Sequence, residues 1–187
     1  MQGYSFIVKY LLLFVCFISL SAFTQTTGND TLVKTVGDSL TVSDTVKPKN
    51  SEQIDQIVSY AKKFLGTPYR YAGTTPSGFD CSGFISYVFG NFGFSLVHSS
   101  YGMAEFGETV KLADVQAGDL LFFKGSDVHS TRVGHVAMVV EVTPDAIKMI
   151  HSSTSRGVVI ENFKTSKYFI ARFIKAKRLD YGVPTKK

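Results

Sequence analysis

FDCSGFISYVFGNFG, residues 79–93, holds Cys81; the chain's other cysteine, Cys16, lies far off in an apolar run near the start. A free cysteine is most often a buried small hydrophobe. Cys81 fits a second reading as well. Polar Asp80 and Ser82 flank it, and it stands where a helical pattern begins. There the backbone N–H groups and the helix dipole favour an anion and would lower a thiol pKa from its ordinary value of about 8.5 toward the reactive range. The chemistry of such a group is nucleophilic attack by sulfur, which needs a base. The sequence offers His98, His129, His135 and His151. His135 in GHVAMVV and His151 in MIHSS are each the titratable residue of an otherwise apolar, strand-like run. On neighbouring strands, one could take the thiol proton while the other holds the first ring in the right tautomer. A lone histidine is more often structural, and His129, in SDVHSTR, has only a loop around it. No metal is expected, because HExxH, H-x-H and paired-cysteine motifs are absent. Neither a glycine-rich phosphate loop nor a G-x-S-x-G serine motif occurs, and no cofactor is expected.

These residues need elements to hold them. SEQIDQIVSYAKKFLG predicts an amphipathic helix, with Ser51 as N-cap, Ile54, Ile57, Val58, Ala61, Phe64 and Leu65 at helical spacing, and Gly66 as the stop. TPYRYAGTTPSG is loop by composition. A second helix starts at or just before Cys81, with Phe84, Ile85, Val88 and Phe89 as its apolar stripe and Gly93 past its end. From residue 119 the pattern turns to short β segments: DLLFFKG, GHVAMVVEV, AIKMIHSS, GVVIENF and FIARFIKAKRL, with turn signals TPDA and SRG between. Helices first and antiparallel strands after make an α+β domain.

Ahead of the domain, the apolar run at 11–23 is short for a membrane span and fits a secretory leader, cleaved around Ala22 to Thr24. An uncleaved anchor is the alternative. Lipid attachment at Cys16 is disfavoured, since Val15 is bulky where a lipobox needs a small residue. Residues 25–50 lack aromatics and read as a flexible tether. The expected organisation is therefore leader 1–24, linker 25–50, one catalytic domain 51–183 and a basic tail 184–187, in an exported envelope, periplasmic or secreted protein. The net charge is +5, with Arg172, Lys175, Lys177, Arg178, Lys186 and Lys187 late in the chain. An exported protein with this balance suits an anionic wall or lipid surface better than a nucleic acid, and none is expected as partner.

Six stretches in order, FLGTPYRYAG, FDCSGFISYVF, AGDLLFFKG, VGHVAM, MIHSSTSRGVVI and AKRL, run from residue 64 to 179. Together they resemble the NlpC-type cell-wall cysteine peptidases, most of all the small single-domain murein endopeptidases. The resemblance implies a papain-like α+β fold, N-terminal helices packed on a central antiparallel sheet of about five strands. By matching position it implies Cys81 as nucleophile, His135 as general base and His151 as the polar third member. It sets Tyr69 beside the nucleophile, with Asp80 and Ser82 as neighbouring substrate- or oxyanion-contacting positions and the Cys81 backbone N–H as an oxyanion donor. The implied substrate is the stem peptide of peptidoglycan, cut at γ-D-glutamyl–diamino acid bonds or D,D cross-links, by a monomer. An amidase or acyltransferase on the same fold, and a non-catalytic wall-binding module, are the alternatives. The sequence departs from the family at Ala72, where a second glycine is common, at His98 in place of an arginine, at Glu105 in place of a glutamine, and in VAMVVEV after the histidine.

Overall fold

Ile54, Ile57, Val58 and Ala61 face one side of a helix, and burying that side fixes where the first element lies. The computed structural model describes residues 49–181; the leader with Cys16, the tether up to residue 48 and the basic tail lie outside the described residues. Helix α1 spans Lys49–Lys62, two residues earlier than the expected cap at Ser51, because nothing in Lys49 and Asn50 breaks helical geometry. It ends earlier too. Lys63, Phe64 and Leu65 donate backward to Tyr60, Ala61 and Lys62 in tightened turns, and Gly66 turns the chain at φ +83°. Leu65 is therefore off the helix and 48% exposed, not part of the buried stripe.

A two-stranded ribbon follows, β1 (Thr74–Thr75) and β2 (Gly78–Phe79), then α2 (Cys81–Gly90) and the short α3 (Ser100–Met103). The expected stripe of α2 is fully buried, each of those large side chains being worth about 1.5–3 kcal/mol of transfer free energy. The main sheet has six strands, not about five: β3 (Glu108–Val110), β4 (Leu120–Lys124), β5 (Val133–Thr143), β6 (Ala146–Ser153), β7 (Gly157–Asn162) and β8 (Phe173–Arg178). Their order is β3-β8-β4-β5-β6-β7, and all pairs are antiparallel. The added strand, β3, is three residues long and pairs only with β8, too short to leave an alternation in the sequence. The start of FIARFIKAKRL also departs from expectation, since Phe169 and Ile170 belong to a helical turn, α4 (Lys167–Ile170), capped by Ser166.

Both faces of the sheet are covered. Val136, Met138, Ile150 and Val158 pack with α1 and α2 into one core. Ala137, Val139, Ile147 and Met149 face the other way, into a second core closed by Phe163 and Phe169. The β4–β8 pair is pinned at one end by Asp119, which precedes β4 and is fully buried. Its carboxylate accepts from Arg178 Nε and Nη2, each at 2.8 Å, and from the Gln116 backbone N–H at 2.9 Å. Asp119→Ala strips the guanidinium of its partner and is expected to lower the unfolding free energy by about 2–4 kcal/mol, read as a shift of the urea midpoint. A loss below about 0.5 kcal/mol would show that the pair holds nothing together.

Candidate active site

Asp80 starts the site by starting a helix. Its backbone is extended (φ −86°, ψ 178°), and its Oδ1 accepts from the Gly83 N–H at 2.6 Å and from the Ser82 hydroxyl at 3.0 Å. That cap makes Cys81 the first helical residue. The glycine of DCSG has a steric reason: a Cβ on Gly83 would collide with the Gly73 carbonyl, the same carbonyl that accepts the Asp80 N–H at 2.9 Å. The helix start is thus pressed onto the loop at 69–73. Ala72 in that loop has φ 54°, a left-handed conformation that glycine adopts freely and alanine does not. From the other side, Ser152 of β6 donates its hydroxyl to the Phe79 carbonyl at 2.8 Å and ties the approach to Cys81 to the sheet.

The β5–β6 ladder ends at Met138–Ile150, and the Val136 N–H of β5 points to the Cys81 sulfur. The thiol therefore sits against the strand that carries His135. His135 shares the face of Ala137 and Val139, and His151 that of Met149 and Ile147, so both rings emerge into the second core. His135 Nε2 lies 3.0 Å from His151 Nδ1, in an edge-to-face arrangement under Phe169. Sequence reasoning missed the next link. Glu161 of β7 pairs with Met149 across the ladder, which puts it diagonal to His151 on the same face. Its Oε2 is 2.7 Å from His151 Nε2, and its Oε1 is 2.8 Å from Arg156. The spacing of His151 and Glu161 about the turn Thr154–Arg156 could have suggested this only with the register known.

The remaining sequence candidates divide. Tyr69 is half-buried and lies within electrostatic reach of Cys81 and Asp80. Ser82 is buried, its hydroxyl committed to Asp80. Asp80 uses its second oxygen on His98, at 2.8 Å. His98 and Glu105, two of the positions that depart from the family, thus have different surroundings, since Glu105 pairs instead with Lys175 at 3.4 Å. His129 sits in an exposed turn away from the others. A cavity of about 430 Å³ opens beside the histidines, lined among others by Lys124, Ser126, Ser153, Arg156, Glu161 and Tyr168. Of the late cations, Arg172 stacks on Tyr168 with its guanidinium 3.8 Å from the ring centroid and Lys177 donates to the Gly107 carbonyl, while Lys186 and Lys187 lie outside the described residues.

Burial decides the charge states. It pushes the Cys81 thiol above its ordinary value, with the Asp80 carboxylate adding to the rise, against the backbone N–H groups of Val136, Ser82 and Cys81 itself. The lowering expected from the helix start is present but does not win. Burial likewise pushes His135 down to about 3, with His151 pressing the same way and Glu161 opposing. Glu161 is held down at about 2, chiefly by its bond to His151 and then by Arg156. Tyr69 is raised, first by burial, so its hydroxyl keeps its proton. A group neutral in the fold but charged in the unfolded chain makes stability depend on pH. Below 6.5 the unfolded chain takes the His135 proton first, so stability fully present above 6.5 is lost as pH falls toward 3; Glu161 acts in the same direction from 4.5 down to about 2. The melting temperature is therefore expected to drop between about pH 7 and about pH 4, and His135→Asn to flatten that drop. Equal slopes in both proteins would contradict it.

Comparison with known proteins matches this architecture and these motifs. The NlpC/P60 family profile aligns with residues 66–178. The gamma-DL-glutamyl hydrolase of Bacillus subtilis is 40% identical over 124 residues, 66% of this chain and 29% of that protein. The murein DD-endopeptidase MepS/murein LD-carboxypeptidase of Escherichia coli K12 is 30% identical over 132 residues, 70% of this chain and 65% of that one. A solved NlpC/P60 family protein from Bacillus cereus superposes with a TM-score of 0.60 at 33% identity, over 67% of this chain and 39% of that chain. The chain thus spans less than two thirds of the length of each of these proteins. Because the family profile covers more than half of it, in a region that contains Cys81, His135, His151 and the whole sheet, the chain belongs to the NlpC/P60 family.

Proposed function

We propose that this protein is an exported peptidoglycan hydrolase that cuts stem-peptide amide bonds with Cys81 as nucleophile. One observation carries the reading: a thiol at the start of a buried helix abuts the strand of His135, whose ring is 3.0 Å from that of His151. Family membership and the activities for which the relatives are named, one on γ-glutamyl bonds and one on murein, favour a γ-D-glutamyl–diamino acid bond or a D,D cross-link. The apolar run at 11–23 supports export to the cell envelope.

With its Nε2 turned to His151, His135 offers Nδ1 to the thiol. As Cys81 attacks the carbonyl carbon, its proton passes to Nδ1. The oxyanion is met by the backbone N–H at the helix start and by the protonated Tyr69 hydroxyl. His135 then gives the proton to the leaving amine, and water, deprotonated by the same ring, hydrolyses the thioester. A thiol whose pKa is raised and an imidazole whose pKa is lowered rest as a neutral pair. The thiolate forms in the attack rather than before it.

Digestion of purified peptidoglycan by the full chain, followed by mass spectrometry of the fragments, tests the reading. New free amines on a diamino acid or on D-alanine identify the bond. Cys81→Ala and His135→Ala are expected to lose roughly 10³-fold or more in rate, and wild-type digestion by either removes the mechanism. The neutral resting pair has its own signature. Alkylation of Cys81 by iodoacetamide should keep rising with pH above about 8.5, the ordinary thiol value from which burial shifts it upward. A fast plateau across neutral pH would mean a preformed thiolate.

A further inference from the structure

Glu161 lies two side chains behind the base, outside the three positions that the motifs supply. Both its oxygens are engaged, Oε2 with His151 Nε2 and Oε1 with the Arg156 guanidinium. An ionised carboxylate can only accept, and a guanidinium can only donate. His151 Nε2 must therefore carry a hydrogen. A neutral imidazole has one N–H, so His151 Nδ1 is an acceptor, and the His135 nitrogen 3.0 Å away must donate to it. His135, with its hydrogen on Nε2, then has a bare lone pair on Nδ1. In the opposite arrangement every hydrogen shifts by one nitrogen, His135 Nδ1 is protonated, and the ring cannot accept from sulfur.

We propose that Glu161, oriented by Arg156, is the positioning residue that fixes the tautomers of His151 and His135 and so arms His135 as the base, extending the line of three to Glu161–His151–His135–Cys81. The inference rests on the thiol reading above. When Nδ1 takes the Cys81 proton, the S–H bond breaks, an N–H bond forms, and His135 becomes an imidazolium. Its charge is then faced by the His151 lone pair with the carboxylate behind it. His151 is 2% and Glu161 20% exposed, so the line is shielded from water at its middle, while Arg156 at one end and His135 at the other reach the cavity.

Glu161→Gln separates this role from mere packing, because it keeps the shape and leaves one acceptor oxygen for two donors. Arg156 is permanently charged and takes that oxygen. The amide NH₂ then faces His151 Nε2 and forces both rings into the inactive arrangement. Removing the competitor in Glu161→Gln/Arg156→Ala returns the oxygen to His151. Two readouts need no peptidoglycan: ¹⁵N chemical shifts of the imidazoles in the labelled full chain, and the iodoacetamide rate at Cys81 near neutral pH. We expect Nε2–H on both rings in the wild type, a switch to Nδ1–H with a roughly 10- to 100-fold slower rate in Glu161→Gln, and recovery of most of that rate in the double variant. A Glu161→Gln rate within about twofold of wild type with unchanged tautomers, or a double variant no faster than the single one, overturns the proposal. Should either variant be unstable, Glu161→Asp, which keeps an acceptor-only group, must hold the wild-type tautomers, and a switch there overturns it equally. Because neither readout uses the wall, a protein that leaves peptidoglycan intact yet shows these tautomers refutes the substrate and not the relay.

Discussion

Two imidazoles 3.0 Å apart, one of them half-open to a cavity and the other buried, are the contact on which the rest of this structure depends. The contact exists only because β5 and β6 present residues 135 and 151 to the same face of the sheet. That face must then be sealed, and Phe169, from a four-residue helical turn, covers both rings. Everything behind the pair is acceptor or donor chemistry with fixed direction. Everything in front of it is the mechanical problem of bringing a helix start to the end of a strand. The Asp80 cap, the Gly83–Gly73 contact and the Ser152–Phe79 hydrogen bond solve that problem from three sides.

Charge at the site follows from burial more than from dipoles. The helix start and three backbone N–H groups favour a thiolate, yet removal from water and the nearby Asp80 carboxylate outweigh them. The outcome has a chemical use. A thiol of higher pKa yields a more nucleophilic sulfur once deprotonated, provided that a base is in place at the moment of attack. His135, the proposed base, is kept neutral by the same burial, well below the pH at which an imidazole ordinarily takes up a proton. Asp80 therefore has two opposed effects, holding the helix that presents the sulfur while disfavouring the sulfur's anion.

Much of this was legible in the residues. Cys81 between polar neighbours at a helix start, and His135 and His151 as polar interruptions of apolar strands, each carry a local signal; the two rings lie 3.0 Å apart, and the Cys81 thiol accepts from the Val136 N–H, next in the chain to His135. Helix α2 follows from periodicity because its apolar stripe is fully buried, and strands β4 to β7 follow from their branched and aromatic composition between turn signals. Glu161 carried no such signal: in GVVIENF it looks like any solvated charge on a strand, and only the β6–β7 register turns it toward His151. Strand β3 is too short to show a period, and Phe169–Ile170 reads as strand because its apolar, branched composition is overridden by the Ser166 cap. Of the late cations read as suiting an anionic surface, Arg172 and Arg178 are also held within the fold, the latter by the buried Asp119, which the sequence pattern does not reveal.

If Cys81 is the nucleophile and His135 its base, the Cys81 sulfur becomes covalently acylated during turnover. The direct measurement is intact-protein mass spectrometry of the full chain, quenched in acid during turnover of a purified stem-peptide fragment. We expect a transient mass increase equal to the acyl portion of the fragment, mapped to the peptide containing Cys81 and released by hydroxylamine. Turnover with no adduct at any time, when the quench interval is shorter than the catalytic cycle, or an adduct on another residue, would contradict it.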